Sequence, residues 1–251
     1  MGTDGLSTHL SVDGLCVRFG GITALDEVSF QVENRQIVGL IGPNGAGKTT
    51  VFNAITRIYE PSAGAIDLNG ESLLALAPHE VIRRGVARTF QNVELFKTMT
   101  VLDNLLVGMH TLIDPLRSLV FERPHRRRAL DMLSLFSLQQ LANVPAGALP
   151  FAVQKRIEMA RALVSQPRLL LLDEPASGLN HEEIDGLAAL IRSISDELGL
   201  TILLVEHNMA MVMGISDHIV VLDFGRKIAE GAPDIVARDR QVIEAYLGEP
   251  A

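Results

Sequence analysis

The sequence predicts an α/β fold: a parallel sheet covered by helices, with a helical lobe inserted into it. Three observations predict it. Ile37 to Ile41 is a short unbroken apolar run that leads straight into a glycine-rich loop and a helix-like stretch, Lys48 to Arg57. Such a run is the mark of a strand buried on both faces. Two more runs, Leu169 to Leu172 and Thr201 to Val205, flank one amphipathic stretch, so strand and helix alternate towards both ends of the chain. Between residues 98 and 164 the apolar residues recur at helical spacing instead: Val101, Leu102, Leu105 and Leu106, then Leu130, Leu133, Leu135 and Phe136.

The other elements follow in order. Leu10 and Val12, then Leu15, Val17 and Phe19, alternate with polar neighbours over residues 9–19, and Val28, Phe30 and Val32 repeat that two-residue period. Ile184, Leu187, Ile191, Ile194 and Leu198 line one face of a helix. Asn180 and Glu183 are placed to cap its start, and Gly199 sits where helices stop. Met209, Met211 and Met213 fall in a short helix with a packing role, and Cys16 reads as a small core residue. The expected organisation is one domain, with a core lobe of about 1–97 and 165–251 and a helical lobe of about 98–164.

Composition narrows the function. Apolar residues make up 47% of 251 and charged residues 21%, as in ordinary globular proteins, which excludes collagen-like and disordered classes. A net charge of −8 provides no broad cationic surface for nucleic acid. Arg126-Arg127-Arg128 reads as a solvated helix face. The lone cysteine fits a reducing compartment. Met1-Gly2-Thr3-Asp4-Gly5 lacks the basic-then-apolar order of a secretory signal. No uncharged apolar run approaches the ~18 residues that cross a bilayer, so a membrane role is expected to run through a partner.

The chemistry gathers at two places. Gly42-Pro43-Asn44-Gly45-Ala46-Gly47-Lys48-Thr49 matches G-x-x-x-x-G-K-[ST] between a buried strand and a helix. Glycines let the backbone curl around a phosphate chain, and loop N–H groups with the helix N-terminus present positive partial charge to it. Lys48 is then placed to reach the β- and γ-phosphates of a nucleotide, the Thr49 hydroxyl to ligate Mg²⁺, and Thr50 to complete the binding set. The run Leu169 to Leu172 ends in Asp173 and Glu174, at the strand end where open α/β sheets bind ligands. Asp173 suits Mg²⁺, and Glu174 suits a group that orients or deprotonates an attacking water.

With these motifs the sequence resembles the ATPase subunit of ABC transporters, over nearly its whole length. The resemblance implies a P-loop NTPase (RecA-like) core with a parallel sheet, an N-terminal antiparallel β part and an inserted α-helical subdomain. It implies ATP and Mg²⁺ as ligands. It places Phe19 as the aromatic that stacks on adenine. Gln91, in Ala87-Arg88-Thr89-Phe90-Gln91-Asn92, becomes the glutamine that senses Mg²⁺ and the γ-phosphate. Ser177-Gly178-Leu179-Asn180 becomes a loop that meets a second subunit, and His207 the histidine that contacts the γ-phosphate beside catalytic Glu174. One motif departs. Leu149-Pro150-Phe151-Ala152-Val153 stands where the family carries Leu-Ser-Gly-Gly-Gln, a signature that acts on ATP held by the opposite subunit. Pro150 removes a hydroxyl and an N–H, Ala152 adds a methyl group, and Val153 removes an amide. An asymmetric pair of ATP sites is the expectation.

Phe19-Gly20-Gly21-Ile22-Thr23-Ala24-Leu25, Arg88-Thr89-Phe90-Gln91-Asn92 and Val205-Glu206-His207-Asn208-Met209 resemble the branched-chain amino-acid importer subfamily, and the serine-free signature the larger of its two ATPase subunits. That resemblance implies import of hydrophobic amino acids or relatives such as urea and amides. It further implies a paralogous ATPase (or a second copy) in a head-to-tail dimer, two membrane permease subunits, a solute-binding protein, and a peripheral position on the cytoplasmic face of the membrane. Two rival readings stay open: an ABC ATPase acting on DNA or ribosomes, and a nucleotide-binding regulatory module with weak hydrolysis.

Overall fold

The computed structural model describes residues 8–110 and 122–247; Met1 to Gly5 lie outside the described residues. Two sheets carry the fold. β1 (Thr8–Phe19) and β2 (Ile22–Glu33) form an antiparallel pair, extended by β4 (Ala63–Leu68) and β5 (Glu71–Ser72) in the order β2-β1-β4-β5. The second sheet is built on β3 (Ile37–Ile41), β6 (Val86–Arg88), β7 (Leu169–Asp173), β8 (Thr201–Val205), β9 (His218–Asp223) and β10 (Arg226–Gly231). Its order is β10-β9-β3-β8-β7-β6, with β10 antiparallel at one edge and the other pairings parallel.

The unbroken apolar runs have a direct cause. Alternate residues of each strand enter different cores. Val38, Leu40, Leu169, Leu171, Leu203 and Val205 pack with the antiparallel sheet and α1 (Lys48–Ile55). Ile37, Ile41, Leu170, Leu172, Ile202 and Leu204 pack on the opposite face. That second core includes Leu187, Ile191 and Ile194 of α6 (His181–Leu198) and the helical lobe. A strand with both faces covered reads as a near-continuous apolar run, interrupted here only at its ends by Asp173 and Thr201.

α2 (Pro78–Arg83) precedes β6. The helical lobe is α3 (Val101–Gly108), α4 (Glu122–Leu135) and α5 (Phe151–Leu163), with α3 packed on both others. Arg126 and Arg127 lie exposed on α4. α6 begins with the capping box read from its sequence: Asn180 Oδ1 accepts the Glu183 N–H, and Glu183 accepts the Asn180 N–H. It ends at Gly199 in the left-handed conformation. α7 (Met209–Ile215), α8 (Pro233–Val236) and α9 (Arg240–Leu247) complete the described chain. Met211 is buried in α7, and Cys16 is buried in β1 with its sulfur accepting the Glu27 N–H. Among the described residues no helix is long and apolar enough to cross a membrane.

Candidate active site

Four of the parallel strands end on one side of the sheet, and each leads to residues singled out above. β3 runs into Gly42, β6 ends three residues before Gln91, β7 ends at Asp173 beside Glu174, and β8 ends two residues before His207. The crevice outside such strand ends is where open α/β sheets take ligands.

The loop Gly42–Lys48 folds over the start of α1. Gly42 leaves no room for a side chain, since a Cβ there would overlap the Leu222 carbonyl oxygen. Gly47, in the left-handed region at φ 103°, is the residue before the helix. First-turn N–H groups and the helix dipole therefore face the loop's concavity, a combination that attracts anions. Lys48 is buried, and its Nζ donates to the Gly42 carbonyl at 2.7 Å and the Pro43 carbonyl at 2.9 Å. Burial pulls its pKa below the ordinary lysine value, and the Glu174 carboxylate pushes back. Asn44, Gly45 and Thr49 are exposed beside it; Pro43 and Thr50 are half-buried and Ala46 is buried.

Glu174 is held from two sides. Gln91 Nε2 donates to its Oε2 at 2.6 Å, and His207 Nε2 lies 2.6 Å from its Oε1. Its backbone has φ 47°, a sparsely populated conformation for a residue with a side chain, and its N–H donates to the Val205 carbonyl at 2.8 Å. Gln91, Glu174 and His207 thus meet, with Lys48 close enough to feel the carboxylate.

Asp173 is buried, and its Oδ2 accepts Arg88 Nη2 at 2.7 Å. Arg88 also donates to Asn53 Oδ1 of α1 at 2.7 Å, and its guanidinium stacks between Phe52 and Phe90, at 5.5 and 5.3 Å. For Mg²⁺ the donors are hard oxygens. Those that would be available to the ion are the second oxygen of Asp173, the Thr49 hydroxyl and the amide oxygen of Gln91, whose nitrogen is already engaged. Among the described residues no three His, Cys, Asp or Glu side chains form a metal cage. One carboxylate with neutral oxygens suits Mg²⁺, which keeps several waters and takes phosphate oxygens as ligands. The residues fit the ion.

Phe19 is 45% exposed at the end of β1, with its ring edge-on to Tyr59 at 4.9 Å, so it is a surface aromatic and not a core one. Leu149–Val153 open α5. Pro150 is its first flanking residue and makes no side-chain cap bond, and the N–H groups of Val153 and Gln154 both return to the Pro150 carbonyl at 3.0 Å. The Phe151 ring fills the space beside Gly178, where an added Cβ would lie 2.9 Å from it.

Three functional residues escaped the sequence reading: Arg88, Lys155 and Glu206. Lys155 is buried, donates to the Gln91 carbonyl at 2.7 Å, and places its ammonium 5.6 Å from the Phe151 ring centroid. Burial lowers its pKa, opposed by Glu158, Glu206, Glu174 and Asp173. Glu206 is buried. Its Oε1 accepts the Ala176 N–H at 2.6 Å, and its Oε2 the N–H groups of His207 and Asn208 at 2.8 and 3.1 Å. It ties the loop after Glu174 to the loop that carries His207. Arg88 and Glu206 are charges at the ends of apolar strands, which is the signal the sequence holds for them; Lys155 stands in the polar run Gln154-Lys155-Arg156 and carries no such signal.

Residues 25–177 match the family described as ABC transporter, and residues 226–251 match the one described as branched-chain amino acid ATP-binding cassette transporter. The chain is 47% identical over 249 residues to the high-affinity branched-chain amino acid transport ATP-binding protein BraF of Pseudomonas aeruginosa, covering 96% of this chain and 98% of that one. It is 46% identical to LivG of Escherichia coli, described in the same words, with the same coverage. The fold matches a solved ATP-binding cassette of an ABC transporter, MJ1267 in its ADP conformation, with a TM-score of 0.86, 31% identity and 97% of this chain and 100% of that chain covered. The phosphate loop, the bridged carboxylate and these matches agree: the chain belongs to the ATP-binding, ATP-hydrolysing subunits of ABC transporters, in their branched-chain amino-acid group.

Proposed function

We propose that this chain hydrolyses Mg-ATP at the loop Gly42–Thr50 to drive import of branched-chain or other hydrophobic amino acids. The observation that carries the catalytic part is Glu174, gripped at one oxygen by Gln91 and at the other by His207. A carboxylate fixed in this way is set to accept the proton of a water attacking the γ-phosphorus. Lys48 and the loop amides neutralise charge as it shifts towards the β-phosphate, and the adenine stacks on Phe19. Asp173, Thr49 and Gln91 would hold Mg²⁺, which would supply further charge neutralisation when bound. Arg88 keeps Asp173 oriented, and Glu206 keeps the loops bearing Glu174 and His207 in register. Positioning and charge neutralisation provide most of the rate in phosphoryl transfer, and this chain's residues are arranged for both.

The cargo and partners follow from the relatives named for branched-chain amino acid transport. Two membrane permeases, a solute-binding protein and a paralogous ATPase complete the assembly, with this chain peripheral on the cytoplasmic side. The ATPases meet head-to-tail, so Leu149–Val153 faces the partner's nucleotide. Pro150, Ala152 and Val153 support an asymmetric pair, in which this chain's loop works against a partner's intact signature and the reciprocal site is weak.

Reconstitution with both permeases and the paralogue in proteoliposomes tests the reading. ATP-dependent uptake of labelled leucine, isoleucine and valine is expected, and Lys48→Ala abolishes it. Uptake of urea or amides without leucine overturns the cargo, and hydrolysis without vectorial uptake of any of these overturns the transport role.

A further inference from the structure

The stretch that carries Gln91 lies between β6 and α3 and belongs to no helix or strand. A segment without ladder hydrogen bonds keeps one shape only if other groups hold its backbone. Here α5 supplies them. Lys155 Nζ donates to the Gln91 carbonyl at 2.7 Å, Glu158 Oε1 accepts the Glu94 N–H at 3.3 Å, and Arg161 Nη1 donates to the Glu94 carbonyl at 2.6 Å. The three residues stand three apart along the helix, so they share one side of it. The loop Gln91–Glu94 is thereby fastened to α5 at both of its ends.

These are not surface contacts, because Lys155 and Glu158 are both buried. Taking an ammonium and a carboxylate out of water is unfavourable unless each is paired and hydrogen-bonded. The Phe151 ring lies 5.6 Å from the Lys155 ammonium, and Arg161 Nη2 lies 3.9 Å from Glu158 Oε1. What a buried ammonium adds over a neutral side chain is a strong, charge-assisted bond to one carbonyl. That carbonyl belongs to the residue whose side chain donates to Glu174 Oε2 at 2.6 Å. A single residue, Gln91, therefore separates Lys155 from the catalytic carboxylate.

We propose that Lys155 is a positioning residue for hydrolysis: from α5 it fixes the Gln91 backbone, and through the Gln91 side chain it aims the Glu174 carboxylate at the attacking water. Glu158 and Arg161 hold the far end of the same loop, so that it does not pivot about Gln91. The helix whose first turn lacks donors for phosphate thus serves this chain's own ATP site from its middle. The inference rests on the reading of Glu174 as the catalytic carboxylate.

The test uses the transporter assembled with the full chain and with the paralogue's catalytic glutamate changed to glutamine, so that turnover reports this chain's Glu174. Lys155→Met keeps an unbranched apolar stem and removes the ammonium. Loss of a hydrogen bond from a charged group predicts a fall in kcat of about tenfold to a hundredfold. KM for ATP and the Kd of Mg-ADP change by less than about twofold, because the phosphate loop and Lys48 are untouched. Gln91→Ala cuts the link to Glu174, so adding Lys155→Met to it lowers kcat by less than about a further twofold. Should Lys155→Met fail to fold, Lys155→Gln, which keeps an N–H donor without the charge, takes its place with a fall of about twofold to tenfold. Unchanged kcat in the Lys155 variant, losses that multiply in the double variant, or a rise in KM and Kd at constant kcat overturns the inference, and so does wild-type turnover in Gln91→Ala. Wild-type turnover in Glu174→Gln overturns instead the reading on which the inference stands.

Discussion

Two helices of this chain begin where the family places phosphate, and they begin differently. α1 follows a glycine-rich loop, has left-handed Gly47 before its first turn, and carries Lys48 folded back onto the loop. α5 follows Pro150, has no side-chain cap, and starts with Phe151 and Ala152. Its N–H groups at Val153 and Gln154 close on the Pro150 carbonyl, and the Gln154 side chain donates to the Leu149 carbonyl at 2.7 Å. Both ends present a dipole. Only the first adds a cation and a backbone shaped for anions. The second is committed elsewhere: Phe151, 44% exposed, lies beside Gly178, and buried Lys155 reaches onto Gln91. Two helix starts with the same macrodipole have diverged through their side chains, one towards gripping a ligand and the other towards joining the helical lobe to the catalytic residues.

If the chemistry of this chain lies on the α1 side, Glu174→Gln produces the largest loss. Removal of a general base costs about 10² to 10⁴ in rate, while the loop and Lys48 keep their hold on nucleotide. Phosphate release and nucleotide titration, measured side by side, are expected to part company. Retained turnover rejects Glu174 as the catalytic carboxylate and breaks the comparison at its stronger end.

The next effect is on stability. Arg88 and Asp173 form a buried pair, with side chains 8% and 6% exposed. Arg88→Leu leaves Asp173 as an uncompensated buried carboxylate, which costs about 3–5 kcal/mol. At about 2–4 °C per kcal/mol for a chain of this size, the melting temperature drops by about 6–20 °C. Calorimetry without nucleotide reads this directly. A drop of under 2 °C means that Arg88 does not hold Asp173, and the support assigned to α1's surroundings is lost.

Lys48→Ala sharpens the contrast at the loop itself. A hydrogen bond to a charged partner is worth about 1.5–3 kcal/mol, so nucleotide affinity falls by about 10- to 150-fold. Binding at low micromolar ATP is expected to vanish. If the variant binds as tightly as the parent, the grip belongs to the amides alone and α1 differs from α5 by less than its side chains suggest.

The same contrast explains what the sequence made legible. β3, β7 and β8 show as unbroken apolar runs because both of their faces are covered, and α6 shows its ends because Asn180, Glu183 and Gly199 cap locally. β9 carries an equal run, Ile219 to Leu222, yet it stands outside the strands read from sequence. β6 is only Val86–Arg88 and includes a charge, and β10 mixes Arg226, Lys227 and Glu230 because it lies at the sheet edge. The phosphate loop is contiguous, so its residues announce themselves together. Arg88, Lys155 and Glu206 act singly, reaching partners 30 to 85 residues away along the chain. Only the fold turns them inward. The left-handed Glu174 has no sequence signal, since the strain is imposed by the strand ends around it.

The smallest expected effect lies at α5. Pro150→Ser with Ala152→Gly and Val153→Gln restores a hydroxyl, an N–H and an amide to the helix start. Each new bond to a γ-phosphate on the facing subunit is worth about 0.5–1.5 kcal/mol, or roughly twofold to tenfold. Ser at the position before the helix also supplies a cap that proline cannot. The readout is turnover of the paired ATPases with each catalytic glutamate removed in turn. In the parent pair the two removals are expected to give unequal losses, with the larger when Glu174 is the one replaced. In the repaired chain the losses converge, because the reciprocal site regains its donors. Equal losses in the parent remove the asymmetry altogether, and an unrepaired difference means that the engagement of Phe151 beside Gly178 and of Lys155 with Gln91, more than the missing donors, sets the weakness of that site.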